Sequence, residues 1–314
     1  MLLFYTSSPA IIESIDTLMT MRQSLLLSPL SPRTELRLSF EATVSKIRAS
    51  LFLSGVEIDI EMISDILLSH PKQPSKKQTI IIEYNNALAR IATDWKNSGK
   101  PISYQTVLAL ITPSSQYQHT DRLPRSTEAD IRELLSFFDT SVINPFLKAA
   151  IASHLFLVHP AFSEDRGRTG RLIASAVLSH GGMDVRGLLS PEIPWVGKES
   201  TVAKALKESL DKGSLTPWIE TYLLLCLASL TKTIEALKEK KFTTSLPVSY
   251  FDLTERQKEI IKLSTHPEAT ITNSEIQKRF NISQITASRD LSRLVGLGLL
   301  YSHGAGRSIY YTKV

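Results

Sequence analysis

The run Leu157-Val-His-Pro-Ala-Phe-Ser-Glu-Asp-Arg-Gly-Arg-Thr-Gly-Arg171 decides how the chain is read. A histidine leads a short acidic turn, and the turn ends on Gly167. Arg168 and Arg171 follow at the start of an apolar run through Leu172, Ile173, Ala176 and Val177. The pattern is helix, loop, helix. Gly167 admits a backbone geometry that a side chain forbids, and the first N–H groups of the second helix face back into the loop. A helix start with two arginines in its first turn suits an anion. A histidine beside it is a candidate general base for phosphate chemistry.

Outward from this loop the pattern is helical. Asn144 to Val158 is one apolar helix leading in. Glu128 to Ser141 is another, with Ile131, Leu134, Leu135 and Phe138 on one face and Ser126 as its expected cap. Pro113 to Thr127 is polar and aperiodic. Toward the N-terminus, helices are expected at Ser103–Leu110, Thr79–Trp95, Glu57–Leu68 and Glu35–Ser50, and Pro71 to Lys77 is a connector. Helical pieces broken by Ser28-Pro29 and Ser31-Pro32 precede them. Downstream, Gly181-Gly182 is a break, Lys198–Leu210 is a helix closed at Gly213, and Thr216-Pro217 opens a strongly apolar helix.

Phe242 to Ser249, with Pro247, is the natural boundary, and beyond it the pattern changes. Leu253–Leu263, Thr272–Phe280 and Gln284–Val295 are three short helices. Leu299 to His303 and Arg307 to Thr312 flank Gly304-Ala-Gly306 as a hairpin. Residues 252–314 carry nine Lys/Arg against six Asp/Glu, a net of +3. On the third helix the polar positions are Gln284, Thr286, Ser288, Arg289, Ser292 and Arg293, with Ile285, Leu291 and Leu294 expected inward. The division is therefore 1–78 N-terminal helical region, 79–242 core, 243–251 linker and 252–314 C-terminal domain.

The bulk composition excludes several classes. With 314 residues, 42% apolar and 21% charged, the chain is an ordinary globular protein with room for more than one domain. One cysteine, Cys226, excludes an intramolecular disulfide and lies in an apolar run where it reads as a packed thiol. No apolar run reaches membrane-spanning length and no secretory leader is visible, so a cytoplasmic protein away from membranes is expected. The net charge of +5 is mild.

The opening run resembles the signature of Fic-domain proteins, His-Pro-Phe-x-(Asp/Glu)-Gly-Asn-Gly-Arg-x-x-Arg. Asn144 to Val158 is similar to the helix that leads into that signature, and Ser214-Leu-Thr-Pro-Trp-Ile-Glu220 to a downstream segment of the same proteins. The resemblance implies a mainly α fold, a helical Fic-like core that transfers AMP from ATP to a protein hydroxyl. It implies His159 as the base, Phe162 as the apolar loop anchor, and Arg166, Gly167, Arg168, Gly170 and Arg171 around the nucleotide phosphates. A magnesium ion on Glu164 or Asp165 is implied as well. Pro113 to Thr127 stands where such proteins carry a β-hairpin flap that pairs with the target segment, or it is a plain surface loop. Each residue taken singly has a structural reading too: His159 capping a helix end, the carboxylates pairing with Arg166, Arg171 in an internal salt bridge.

The chain departs from the signature in three ways. The loop from His159 to Gly167 is one residue longer, with Ala161 inserted before Phe162. Asp165-Arg166 stands where Gly-Asn is usual. Residues 195–206 lack the tyrosines and asparagine that line the nucleoside pocket of many relatives. Relatives with an inhibitory helix place a glutamate against the second signature arginine. The best local match, Val44-Ser-Lys-Ile-Arg-Ala49, carries Arg48 there, which would repel Arg171.

Residues 252–314 resemble a winged helix-turn-helix, three helices plus a hairpin. That resemblance implies DNA contact through Gln284, Thr286, Ser288, Arg289 and Arg293 on the third helix and Arg307 on the wing, or else dimerisation or internal packing. The expected partners are a protein target carrying a Ser, Thr or Tyr hydroxyl, DNA, and a second copy of the chain as homodimer. The alternative to an adenylyltransferase is a degenerate Fic scaffold that regulates transcription by binding DNA.

Overall fold

A computed structural model describes residues 4–30, 32–69, 71, 73–92, 101–111, 123–165, 167–239, 252–264, 269–297, 299–304 and 309–313. The chain is mainly α and divides into two compact units, 1–28 with 41–241, and 29–40 with 242–314. Residues 29–40 thus group with the C-terminal domain rather than with the N-terminal helical region. The linker 243–251, most of the 113–127 segment, Arg166 and Arg307 lie outside the described residues.

The first unit contains α1 (Pro9–Leu27), the later part of α2 (Pro32–Leu53), α3 (Ile60–Ser69), α4 (Lys76–Arg90), α5 (Tyr104–Ile111) and α6 (Arg125–Thr140). It continues with α7 (Pro145–Val158), a 3-10 turn at Pro160–Asp165, α8 (Arg168–His180), the one-turn α9 (Glu192–Trp195), α10 (Glu199–Lys212) and α11 (Thr216–Glu239). Helix α1 ends before Ser28-Pro29, in keeping with the bias of pre-proline residues against helix. Helix α4 starts earlier than the connector reading allowed, because Ser75 and Gln78 form a reciprocal capping box. Helix α6 starts at Arg125 after Pro124, without a side-chain cap. Ser126 therefore lies in its first turn and is not the cap.

Helices α7, α8 and α11 form the centre. Helix α7 is buried from Phe146 to Phe156 except at Lys148, as expected of a helix apolar on most of its faces. Gly170 lets α8 close on it. A Cβ there would stand 3.2 Å from the Ser153 carbonyl oxygen and 3.3 Å from Phe156 Cβ. From α11, the buried Trp218 donates its Nε1–H to the Ala150 carbonyl of α7 at 2.7 Å. Gly213 ends α10 in the left-handed region at φ 59°, the usual end for a helix at glycine.

The second unit holds α12 (Glu255–Leu263), α13 (Asn273–Phe280) and α14 (Gln284–Gly296) with three short strands, β1 (Ile271–Thr272), β2 (Leu300–His303) and β3 (Tyr310–Lys313). The sheet is antiparallel in the order β1-β3-β2, with Thr272 opposite Tyr310 and Tyr301 opposite Thr312. Capping boxes at Thr254/Gln257 and Thr272/Glu275 start α12 and α13. Asn281 turns the chain between α13 and α14 at φ 49°. Ile260, Ile276, Ala287, Leu291 and Leu294 form its core with Leu36 from α2. Buried Asp290 accepts from Arg256 Nε and from Gln257 Nε2, the latter at 2.8 Å, tying α14 to α12. Ile285 departs from expectation: the buried apolar positions on α14 are 287, 291 and 294, and Ile285 lies off that stripe, 68% exposed.

Candidate functional site

His159 is the C-cap residue of α7, and its backbone N–H still bonds to the Leu155 carbonyl at 2.9 Å. Its side chain is 14% exposed. The ring meets Phe162 at 5.5 Å between centroids, and Phe162, itself 2% exposed, stacks at 4.8 Å on Phe156 of α7. Phe162 thus pins the 3-10 turn to the core despite the inserted Ala161.

Both ring nitrogens of His159 are engaged. The Ala161 N–H points at Nδ1 at 3.1 Å, so Nδ1 is the acceptor and carries no proton in that bond. The neutral ring then holds its proton on Nε2, which stands 3.1 Å from Asp130 Oδ2. Asp130, on α6, was absent from the sequence reading. It lies 29 residues from His159, and no local pattern links them.

The loop closes on Gly167, which sits at φ 80° as the N-cap of α8. A Cβ at this position would meet Leu157 Cδ2 at 2.5 Å and Arg171 Nη1 at 3.1 Å. Glycine is therefore required twice over, by φ and by space. Asp165, 2% exposed, turns inward. Its Oδ1 accepts from Gly167 N–H at 2.8 Å and its Oδ2 from Thr169 N–H at 3.0 Å. The carboxylate caps α8 and supplies the anion that its N-terminus favours. The spacing, Asp two residues before glycine and four before threonine, is the signal that identifies this role.

That changes the metal assignment. With both oxygens committed to backbone N–H groups, Asp165 is a poor magnesium ligand, and the side chain of Glu164 lies outside the described residues. Among the described residues no cluster of three His, Cys, Asp or Glu is placed to hold a metal ion.

Arg171 lies one turn into α8 and is 5% exposed. Its Nε donates to Ser50 Oγ at 2.7 Å, and its Nη2 donates to the Ser50 carbonyl at 2.8 Å and to Ser54 Oγ at 2.7 Å. The guanidinium also approaches the Trp195 ring at 5.9 Å. Helix α2 and the turn after it therefore do face the second signature arginine, but with Ser50 on the helix and Ser54 just past its end. Arg48 is exposed, and the expected repulsion does not arise. These three bonds, to hydroxyl and carbonyl oxygens, orient the guanidinium. Burial lowers the Arg171 pKa, partly opposed by Tyr84, Glu192 and Asp165.

Arg168 is half-buried at the helix start, and its charge acts on Glu83, whose pKa burial raises and Arg168 lowers. Gly170 is placed in the packing of α7 on α8, as described above. Behind Arg171, Glu192 is 2% exposed; burial raises its pKa, against Lys46 foremost. Five residues before His159, His154 is buried beside Trp218, and burial lowers its pKa to about 4. Burial likewise raises the Cys226 thiol well above its ordinary range, which leaves it a packed group and not a nucleophile.

In the second unit, Gln284, Arg289 and Arg293 are exposed on α14 together with Ile285 and Ser292. Thr286 is bound up with the helix cap, its Oγ1 3.0 Å from Ser283 Oγ. Ser288 accepts from Asn273 Nδ2 at 2.8 Å, which joins α13 to α14. Among the described residues no helix is long and apolar enough to cross a membrane.

No family profile and no curated protein matches this sequence. Solved structures do match its fold. A Fic family protein from Desulfovibrio desulfuricans is similar over 99% of this chain and 97% of its own, with a TM-score of 0.59 and 14% identity. A Fic domain containing signaling protein from Bacteroides thetaiotaomicron is similar over 73% of this chain and 100% of its own, with a TM-score of 0.54 and 19% identity. The likeness is one of fold: a helical Fic core followed by a small domain with a short sheet.

Proposed function

From a chain with the Fic fold and this loop, we propose transfer of AMP from ATP to a hydroxyl of a protein target. The observation that carries the reading is His159, held by its ring nitrogens and by Phe162 at the mouth of the loop that Gly167 closes onto α8. Arg168 and Arg171 stand in the first turn beyond it. A serine, threonine or tyrosine hydroxyl is a weak nucleophile at neutral pH and gains from a neighbouring histidine base. The hydroxyl oxygen bonds to the α-phosphorus, the bond to pyrophosphate breaks, and His159 takes the hydroxyl proton. Charge on the phosphates is met by Arg168 and Arg171.

The test uses ATP labelled at the α- or the γ-phosphate with the full chain and a soluble lysate. Label transferred to protein from the α-position alone, and lost in His159→Ala, supports the reading. Transfer from the γ-position, or none from either, overturns it.

A second reading rests on the exposed face of α14, where Gln284, Ile285, Arg289 and Arg293 share a surface in a unit of net charge +3. Read as a winged helix, the unit of three helices and a small sheet would present this face to a DNA groove. Selection from random duplex DNA tests it. Binding that weakens with salt, survives His159→Ala and falls in Arg289→Ala supports DNA regulation. Absence of any sequence preference counts against it.

A further inference from the structure

Both nitrogens of the His159 ring have assigned partners, and the two contacts together choose its tautomer. The Ala161 N–H donates to Nδ1 at 3.1 Å, and Asp130 Oδ2 lies 3.1 Å from Nε2. A backbone N–H can only donate, so Nδ1 presents its lone pair and Nε2 bears the proton. Ala161 is the residue by which this loop exceeds the usual signature, so the donor that fixes the tautomer comes from the insertion itself. Asp130 is 34% exposed and comes from α6, outside the loop. It follows the ring from a separate helix whose buried face, Thr127, Ile131, Leu134 and Phe138, anchors it in the core.

We propose that Asp130 is a positioning residue for His159, and that Nδ1 is the nitrogen that accepts the proton. This rests on the AMP-transfer reading. In the step, the incoming hydroxyl displaces the Ala161 N–H from Nδ1, and its proton passes to Nδ1. Its oxygen bonds to phosphorus as pyrophosphate departs with the electron pair of the broken P–O bond. Nε2 keeps its proton throughout. The carboxylate of Asp130 balances the imidazolium so formed, and solvent removes the Nδ1 proton afterwards. The arrangement has the logic of a carboxylate–histidine pair in which the carboxylate orients the ring and stays ionised. The Ala161 N–H marks the seat of the hydroxyl and must yield it.

Three variants and two readouts test this. Asp130→Asn keeps the shape and an acceptor oxygen but loses the charge; Asp130→Ala loses both; Asp130→Glu restores the charge. Labelled-AMP transfer is expected to fall about 10- to 100-fold in the first two and to recover in part in the third. The second readout is the ring 15N spectrum of the full chain labelled at histidine, with His159→Gln identifying the signal. The wild-type ring is expected as the Nε2–H tautomer, and Asp130→Ala as a mixture. A wild-type Nδ1–H tautomer overturns the proposal whether or not transfer occurs. If the wild type transfers no AMP, the functional reading fails and the spectrum still decides the tautomer. If the wild type transfers AMP and Asp130→Ala is as fast or faster, Asp130 is idle or blocks the ring, and the proposal falls while the reading stands.

Discussion

Gly167→Ala separates two costs that the loop imposes at one position. The residue sits at φ 80°, and an L side chain in the left-handed region costs about 1–2 kcal/mol. Its new Cβ would stand 2.5 Å from Leu157 Cδ2 and 3.1 Å from Arg171 Nη1. Leu157 packs where α7 ends, and Arg171 is held by bonds to Ser50 and Ser54, so relief requires moving one of them. Overpacking of this kind costs about 1–3 kcal/mol more. Gly213→Ala is the control, with φ 59° and nothing within 4 Å of the added Cβ. Gly213→Ala should therefore lose only the backbone part, and Gly167→Ala about 2–5 kcal/mol in total. Urea unfolding followed by tryptophan fluorescence reports on the right body, since Trp195 and Trp218 are buried in the first unit. Equal losses in the two variants would refute the close approach of Gly167 to Leu157 and Arg171.

Other outcomes follow from the same contacts. Ser54→Ala removes one bond to the buried guanidinium of Arg171 and is expected to cost about 1.5–3 kcal/mol in the same unfolding assay; Ser64→Ala, whose hydroxyl only bonds its own helix, should cost far less. His154 takes up a proton near its ordinary 6.5 when unfolded but only at about 4 when folded. The unfolded state thus binds more protons between these values, and stability is lost as pH falls from about 6.5 to about 4. The loss is about 3 kcal/mol, and it should be missing from His154→Asn when midpoints at pH 7 and pH 4 are compared. In the second unit, Asp290→Ala leaves Arg256 and Gln257 without their shared acceptor. It should lower that unit's thermal midpoint, with a cost of about 2–3 kcal/mol, while leaving the tryptophan-detected transition in place.

The legible parts of this protein are those whose cause is local. Thr272 begins a helix because its hydroxyl meets the N–H group three residues on, and Gly213 and Asn281 end helices because both reach positive φ; the same device at Ser75 was hidden inside a proline-containing connector. The apolar stripe of α6 and the largely apolar α7 read directly as buried faces. Illegible were the pairings across long sequence separations. Ser50 and Ser54 meet Arg171 across 121 and 117 residues, and Asp130 meets His159 across 29. Nothing in the period of α2 marks Ser50 and Ser54 rather than Arg48 as the partners of Arg171. Asp165 is an intermediate case: its role as cap was written in its spacing to Gly167 and Thr169, but the family signature drew attention to a metal instead. Ile285 shows the converse error, an apolar residue assigned to the core by type although the stripe of 287, 291 and 294 leaves it outside.

The most direct test of the central claim is the intact mass of protein after incubation with ATP. The full chain and its His159→Ala variant are each incubated with ATP, alone and with a hydroxyl-bearing protein acceptor. A gain of one AMP on the chain or the acceptor with the wild type, and none with His159→Ala, is the outcome expected of His159 as the base. An equal gain with both proteins, or a gain of phosphate in place of AMP, would contradict it.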